Sequence, residues 1–82
     1  MTKQDVFDGL KEIIANVRPQ TDLSKVTLET ELVRDLGIDS LFMIVLSLAT
    51  EERFGMHFPD GEASPTTVGG VCDAVLKALG AS

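Results

Sequence analysis

The sequence has very few of the residues from which catalytic and metal sites are usually built. Its 82 residues include one cysteine, one histidine, no tryptophan and no tyrosine. The lone Cys72 excludes an internal disulfide and a zinc site made of several cysteines. Basic residues are also scarce, 7 against 13 acidic ones, which gives a formal net charge of −6. Nucleic acid and anionic lipid are therefore disfavoured as partners, and basic protein surfaces are favoured.

Long apolar runs are missing as well. No run approaches the ~20 residues of a membrane span, and the N-terminal residues lack the apolar segment of a signal peptide. A chain of 82 residues has room for one core but not for a deep cleft between subdomains. We expect a small, soluble, monomeric domain over residues 1–82, with its core over 2–79, in a reducing cytoplasm. Met1 and the tail Gly80–Ser82 favour a freestanding protein.

The spacing of apolar residues predicts an all-α fold, because it follows helical intervals and shows no strand-like alternation. Thr2 and Asp5 resemble a capping box at the start of a first helix. Pro19 disfavours helical geometry in the residue before it, so this helix should end near Val17 or Arg18.

Two further main helices are expected. The second begins at Asp39 or Ser40, either of which could cap it, and runs to Phe54–Gly55. The last begins with Thr66 or Thr67 as its cap. Shorter elements complete a small four-helix bundle, three main helices and one short one: a helical turn at Glu29–Arg34 in the long loop between the first two helices, and a short helix at Gly61–Ser64.

The second helix is apolar on nearly all sides, which is typical of a helix that contacts both a core and a partner. One face carries Leu41, Ile44, Val45 and Leu48 and continues into Glu51 and Glu52; the opposite face carries Met43, Leu46, Thr50 and Phe54. Glu51 and Glu52 should not be buried without partners. We therefore predict that their face is the outer one.

Ser40 is the most informative polar residue, because a serine at a helix N-terminus has a hydroxyl beside free backbone N–H groups. That position favours the negative charge of a phosphate ester. The simpler interpretation is that Ser40 only caps the helix.

A hydrolase must also be considered. The segment from Gly37 to Leu41 slightly resembles the nucleophile block of the GDSL hydrolases, with His57 and Asp60 as base and orienting acid. However, Ile38 interrupts the block, the order of His57 and Asp60 is reversed, and nothing supplies an oxyanion hole. We interpret His57 as a surface or packing residue and Cys72 as a small core residue. No metal ligand set is recognisable.

The longer pattern from Leu32 to Leu41 resembles the phosphopantetheine attachment segment of acyl carrier proteins. It is followed by Glu51–Phe54, by Phe58–Asp60 and by Thr66–Val68, in the order and spacing typical of that family. The resemblance covers nearly the whole chain.

This resemblance implies a carrier without catalysis of its own. Ser40 would accept 4′-phosphopantetheine from coenzyme A, transferred by a separate phosphopantetheinyl transferase, and acyl groups would be held as thioesters on the arm. Asp39 and Leu41 would belong to the surface that the transferase recognises. Acyl-transfer and acyl-modifying enzymes with basic patches would bind a partner surface made of these residues: Asp35, Leu41, Ile44, Val45, Leu48, Glu51, Glu52 and Phe58.

Some residues depart from the pattern of common fatty-acid carriers. Phe42, Met43 and Val45 stand where acidic or polar residues are frequent in that family, so the partner-facing helix has acids at its ends and an apolar middle. A dedicated pathway, such as polyketide, specialised lipid or hybrid peptide assembly, is therefore favoured over general fatty-acid synthesis. An aminoacyl or peptidyl carrier is the alternative within the class, and an unmodified helical interaction module is the alternative outside it.

Overall fold

A computed structural model describes residues 1–58 and 65–80, which form three α-helices. We name them α1 (Lys3–Val17), α2 (Ser40–Phe54) and α3 (Val68–Ala78). A 3-10 turn at Leu23–Lys25 lies between α1 and α2. The described ranges hold no strand, only an isolated bridge between Glu31 and Thr67. The all-α prediction is confirmed, while the short helix expected at Gly61–Ser64 lies outside the described residues.

Local side chains explain where the helices begin and end. Thr2 and Asp5 form the predicted capping box, in which the Asp5 N–H donates to Thr2 Oγ1 at 3.2 Å and the Thr2 N–H donates to Asp5 Oδ2 at 2.9 Å. Gly55 ends α2 in the left-handed conformation, with φ at 64°, which glycine adopts without strain. Thr67 caps α3. The predicted starts of all three main helices and the predicted ends of the first two are therefore confirmed.

The core lies where α1 packs against α2 and α3. Its buried apolar residues come from the three helices and the segments that join them: Val6, Leu10, Ile13, Ile14, Val26, Leu32, Ile38, Leu46, Met56, Val68, Val71, Cys72 and Val75. The buried Thr50 hydroxyl donates to the Leu46 carbonyl at 2.7 Å, so it needs no other partner. Phe54, expected on the inward face, is only partly buried. Its ring covers Gly9 so closely that a Cβ there would lie 2.7 Å from Phe54 Cζ.

Backbone hydrogen bonds tie the long α1–α2 connection to the start of α3. The Leu32 N–H donates to the Thr66 carbonyl at 2.9 Å, and the Val68 N–H donates to the Thr30 carbonyl at 2.9 Å. These bonds hold in place the segment that leads into α2.

The helical turn predicted at Glu29–Arg34 differs from the observed geometry. The Asp35 N–H donates to the Glu31 carbonyl at 3.0 Å and the Gly37 N–H to the Val33 carbonyl at 3.0 Å, which gives hydrogen-bonded turns rather than a helix. An earlier turn, closed by the Thr30 N–H donating to the Thr27 carbonyl at 3.2 Å, precedes them, and the backbone between the two turns is bonded to the residues that lead into α3. None of the helices in the described residues combines the length and apolar character that a membrane crossing needs.

Candidate functional site

Ser40 is the first residue of α2, and it is exposed. The helix is capped by its neighbour: the Phe42 N–H donates to Asp39 Oδ1 at 3.0 Å, and Asp39 has the extended backbone of an N-cap residue. The sequence left two candidates for this cap, and the geometry selects Asp39. Within the part of the chain that the structure describes, no hydrogen bond engages the Ser40 hydroxyl. This hydroxyl is therefore accessible and has no capping role.

The surroundings of Ser40 favour a negatively charged substituent. The first N–H groups of a helix have no partners within the helix, and the helix dipole places partial positive charge at this end. Asp39 takes up one of these N–H groups, that of Phe42. Gly37, just before the helix, has φ at 67°, a conformation that strains most other residues. The chain is thus turned sharply into α2 directly ahead of Ser40.

Arg18 joins this site from the end of α1, and the sequence analysis missed it. Its guanidinium lies over the Phe42 ring, with Cζ 5.2 Å from the ring centroid. A guanidinium nitrogen also lies 3.5 Å from the place that a Cβ on Gly37 would occupy. The guanidinium thus lies near residues that precede and follow Ser40 along the chain. In the sequence Arg18 marks only the end of a helix before a proline, and no local pattern links it to residue 42.

The predicted outer face of α2 is exposed. Leu41, Ile44, Val45 and Leu48 are 67%, 59%, 42% and 60% exposed, respectively. Leu46 on the opposite face is buried. The four exposed side chains, which we call the apolar face of α2, form an unusual solvent-facing group for so small a protein.

The acidic and aromatic residues predicted beside this face are not equivalent. Glu52 is exposed, but the Glu51 side chain is only 20% exposed, because its carboxylate accepts the Phe58 N–H at 2.8 Å. Phe58 is partly buried and packs against the core. Glu51 and Phe58 therefore fix the segment that follows α2, which corrects the expectation that Glu51 lies fully on the outer face. Asp35 is exposed and accepts the Glu31 N–H at 2.8 Å.

The remaining reactive side chains lie apart from Ser40. His57 is an exposed surface residue whose Nδ1 faces a Glu51 oxygen at 3.6 Å. The Cys72 thiol is buried in the core, and burial raises its pKa to about 11. Both were interpreted in this way from the sequence. The orienting acid of the hydrolase hypothesis, Asp60, lies outside the described residues, and within them no cluster of acids, histidine and cysteine could hold a metal ion.

Comparison with known proteins gives one family model and several relatives that agree with one another. The family model described as a phosphopantetheine attachment site matches residues 8–75. An acyl carrier protein of Helicobacter acinonychis is 41% identical over 58 residues, which cover 71% of this chain and 73% of the relative. A meromycolate extension acyl carrier protein of Mycolicibacterium smegmatis is 39% identical over 77 residues, which cover 93% of this chain and 77% of the relative. An acyl carrier protein of Wolinella succinogenes is 41% identical over 70 residues, which cover 80% of this chain and 87% of the relative.

Proposed function

Because the chain belongs to the family of acyl carrier proteins, whose cofactor is covalent 4′-phosphopantetheine from coenzyme A, we propose that Ser40 is its attachment residue. The observation that carries this proposal is the division of roles at the start of α2. Asp39 caps the helix, and the Ser40 hydroxyl is exposed and not engaged within the described residues. A serine that served only as a cap would hold its own hydroxyl against the helix N–H groups.

The residues around Ser40 fit a phosphodiester. Ser40 supplies the oxygen, and the unpaired N–H groups at the start of α2 stabilise the negative charge. When bound, the group supplies a terminal thiol that holds the cargo as a thioester. The chain needs no base of its own to activate Ser40, because a separate transferase performs that step. We therefore propose a carrier that has no catalytic activity and acts as a single domain in the cytoplasm.

The apolar face of α2 is the proposed docking surface for the transferase and for acyl-handling enzymes. Its four apolar side chains offer a desolvated contact, while the exposed Asp35, Asp39 and Glu52 offer negative charge beside it. Basic patches on partners would be attracted by these acids, and the apolar contacts would stabilise the encounter. Glu51 and Phe58 contribute by holding the end of this surface in place.

An acyl group is the proposed cargo, and lipid or polyketide assembly is the proposed setting. The names of the relatives support an acyl cargo, and the mycobacterial names support a specialised lipid. The unusual apolar residues of α2 are a reason to favour a dedicated pathway over general fatty-acid synthesis. An aminoacyl or peptidyl cargo is the alternative, and identifying the load on protein isolated from its source separates the two.

The attachment proposal can be tested directly by intact mass measurement. The protein is incubated with coenzyme A and a broad-specificity phosphopantetheinyl transferase, and a mass gain of one phosphopantetheine is expected. Ser40→Ala should gain nothing, whereas Ser47→Ala, a matched change within α2, should be modified like the parent. Absence of a gain in the folded parent would overturn the carrier proposal, and a gain in Ser40→Ala would overturn the site.

A further inference from the structure

Arg18 occupies a position that α1 and α2 define together. Its backbone N–H donates to the Ile14 carbonyl at 2.7 Å, which fixes the residue at the end of α1. From there the side chain reaches Gly37, three residues before Ser40, and Phe42, two residues after it. The guanidinium therefore lies close to Gly37 and Phe42, the residues between which the proposed attachment residue stands in the sequence.

Among the described residues, no carboxylate forms an ion pair with Arg18 within 4.0 Å. Its Nε is buried and has no hydrogen-bond partner, and none of the ion pairs between described residues includes its guanidinium. A buried donor without a partner is costly, and for a charged group the cost is greater. Stacking on Phe42 compensates only part of it.

Two carboxylates near Arg18 make hydrogen bonds with other groups and form no ion pair with it. Arg18 lines a groove of about 450 Å³ together with Asp22, Lys25 and Asp35. Asp22 accepts hydrogen bonds from the N–H and the hydroxyl of Ser24 at 3.1 and 2.6 Å. Asp35 accepts the Glu31 N–H at 2.8 Å and lies 4.0 Å from the Arg34 side chain. Because neither carboxylate lies within ion-pair distance of the guanidinium, an anion placed closer would be a better partner for Arg18.

We infer that Arg18 is the counter-charge of the phosphodiester on Ser40 and thereby positions the base of the phosphopantetheine arm. The unmodified protein holds a partly desolvated cation beside a neutral serine. Modification introduces one negative charge at that serine, next to the carboxylate of Asp39. The Arg18 guanidinium lies beside Gly37 and over Phe42, which precede and follow this charge along the chain, so the modified form would offset its unfavourable desolvation.

This inference rests on the proposed attachment at Ser40, and its test compares the thermal stability of unmodified and modified protein. The change in melting temperature on modification is measured for the parent, for Arg18→Gln and for Lys25→Gln, a cation of the same groove that serves as the control. The change in melting temperature on modification should be more positive in the parent than in Arg18→Gln by about 4 °C. This is the size expected for one favourable charged contact in a domain of this length. Lys25→Gln should behave like the parent.

Two further measurements separate a contact from a purely structural role. The ³¹P resonance of the arm should shift in Arg18→Gln and not in Lys25→Gln. Arg18→Lys, which keeps the charge but loses the planar stacking group, should retain most of the effect on melting temperature, and raised salt should reduce that effect.

The outcomes distinguish this inference from the function on which it rests. A parent that gains no mass overturns the attachment proposal, and the role of Arg18 with it. A parent that is modified but shows the same change in melting temperature as Arg18→Gln overturns the role of Arg18 alone. If the change in melting temperature on modification fell equally in Lys25→Gln, the role of Arg18 would also be overturned. The effect would then be explained by the loss of one positive charge at any position in the groove.

Discussion

Two adjacent side chains at the start of α2, those of Asp39 and Ser40, have different roles. Asp39 accepts the Phe42 N–H and caps the helix, while Ser40 is exposed. The sequence limits the candidates for the N-cap of α2 to these two residues, because aspartate and serine are both good caps. It could not choose between them, since the choice depends on which residue has extended backbone geometry. The structure makes that choice, and the proposed chemistry of Ser40 depends on it.

Cys72 is the other residue whose environment has a chemical consequence. Burial raises the pKa of its thiol from an ordinary value of 9.0 to about 11. The reactive thiolate is therefore scarce in the folded protein at neutral pH. In the modified carrier, the thiol of the arm is then expected to be the one that reacts rapidly with thiol reagents.

We predict that Cys72 is unreactive in the native protein and reacts promptly after unfolding. A colorimetric thiol assay on unmodified protein at pH 8, with and without guanidinium chloride, measures this. Rapid labelling of the native form would contradict the burial of Cys72. The pH dependence has a definite sign: the folded state keeps its thiol proton between pH 9 and 11 while the unfolded state loses it. The free energy of unfolding should therefore fall across that range, by at most about 1.4 kcal/mol per pH unit from this group.

At the element scale, α2 is a helix with apolar residues on two faces. Leu46 and Thr50 face the core, whereas Leu41, Ile44 and Leu48 face solvent. The orientation was predictable because Glu51 and Glu52 could not both be buried without partners. Glu51 satisfies that rule in a different way, since it is largely covered but accepts the Phe58 N–H.

We predict that Ile44→Glu weakens docking with little loss of stability. Ile44 is 59% exposed, so the change removes little buried area, and surface substitutions usually alter the free energy of unfolding by less than about 0.5 kcal/mol. The rate of modification by the transferase should fall, because an apolar contact is replaced by a charge. Denaturant unfolding and the kcat/KM of modification measure the two effects.

Leu46→Ala is the matched control on the buried face of the same helix. It should lower the free energy of unfolding by about 2–5 kcal/mol, because it leaves a cavity in the core. Modification should stay close to the parent rate at temperatures where the variant is folded. If Ile44→Glu were as destabilising as Leu46→Ala, the proposed orientation of the partner surface would be wrong.

The helices were predictable and the path of the long connection was not, for a physical reason. Thr2, Pro19 and Gly55 act on their own neighbours along the chain, so their effect can be read from a short stretch of sequence. The connection is instead held by bonds between residues far apart, such as that from the Gly69 N–H to the Leu28 carbonyl at 2.8 Å. The position of Arg18 beside Phe42 has the same origin, and it also could not be inferred from local pattern.

At the scale of the whole molecule, the dominant property is negative charge. The formal net charge is −6, and two of the exposed acids, Asp39 and Glu52, lie at either end of the apolar face of α2. Several other acids are paired within the fold, among them Glu12, which accepts a hydrogen bond from Arg53 at 2.7 Å. We therefore expect the long-range field to attract basic partners and the exposed acids at the ends of the apolar face to favour their approach there.

We predict that modification by a transferase with a basic docking patch slows as ionic strength rises, and that the effect depends on local charge. The Debye length falls from about 30 Å at 0.01 M salt to about 8 Å at 0.15 M, so steering should weaken and kcat/KM should fall with little change in kcat. Glu52→Gln, next to the apolar face, should reduce this salt dependence. Asp8→Asn, on α1, makes the same change in net charge and should leave it nearly unchanged. An equal response of the two variants would show that net charge alone steers the encounter, and the acids flanking α2 would then have no special part in docking.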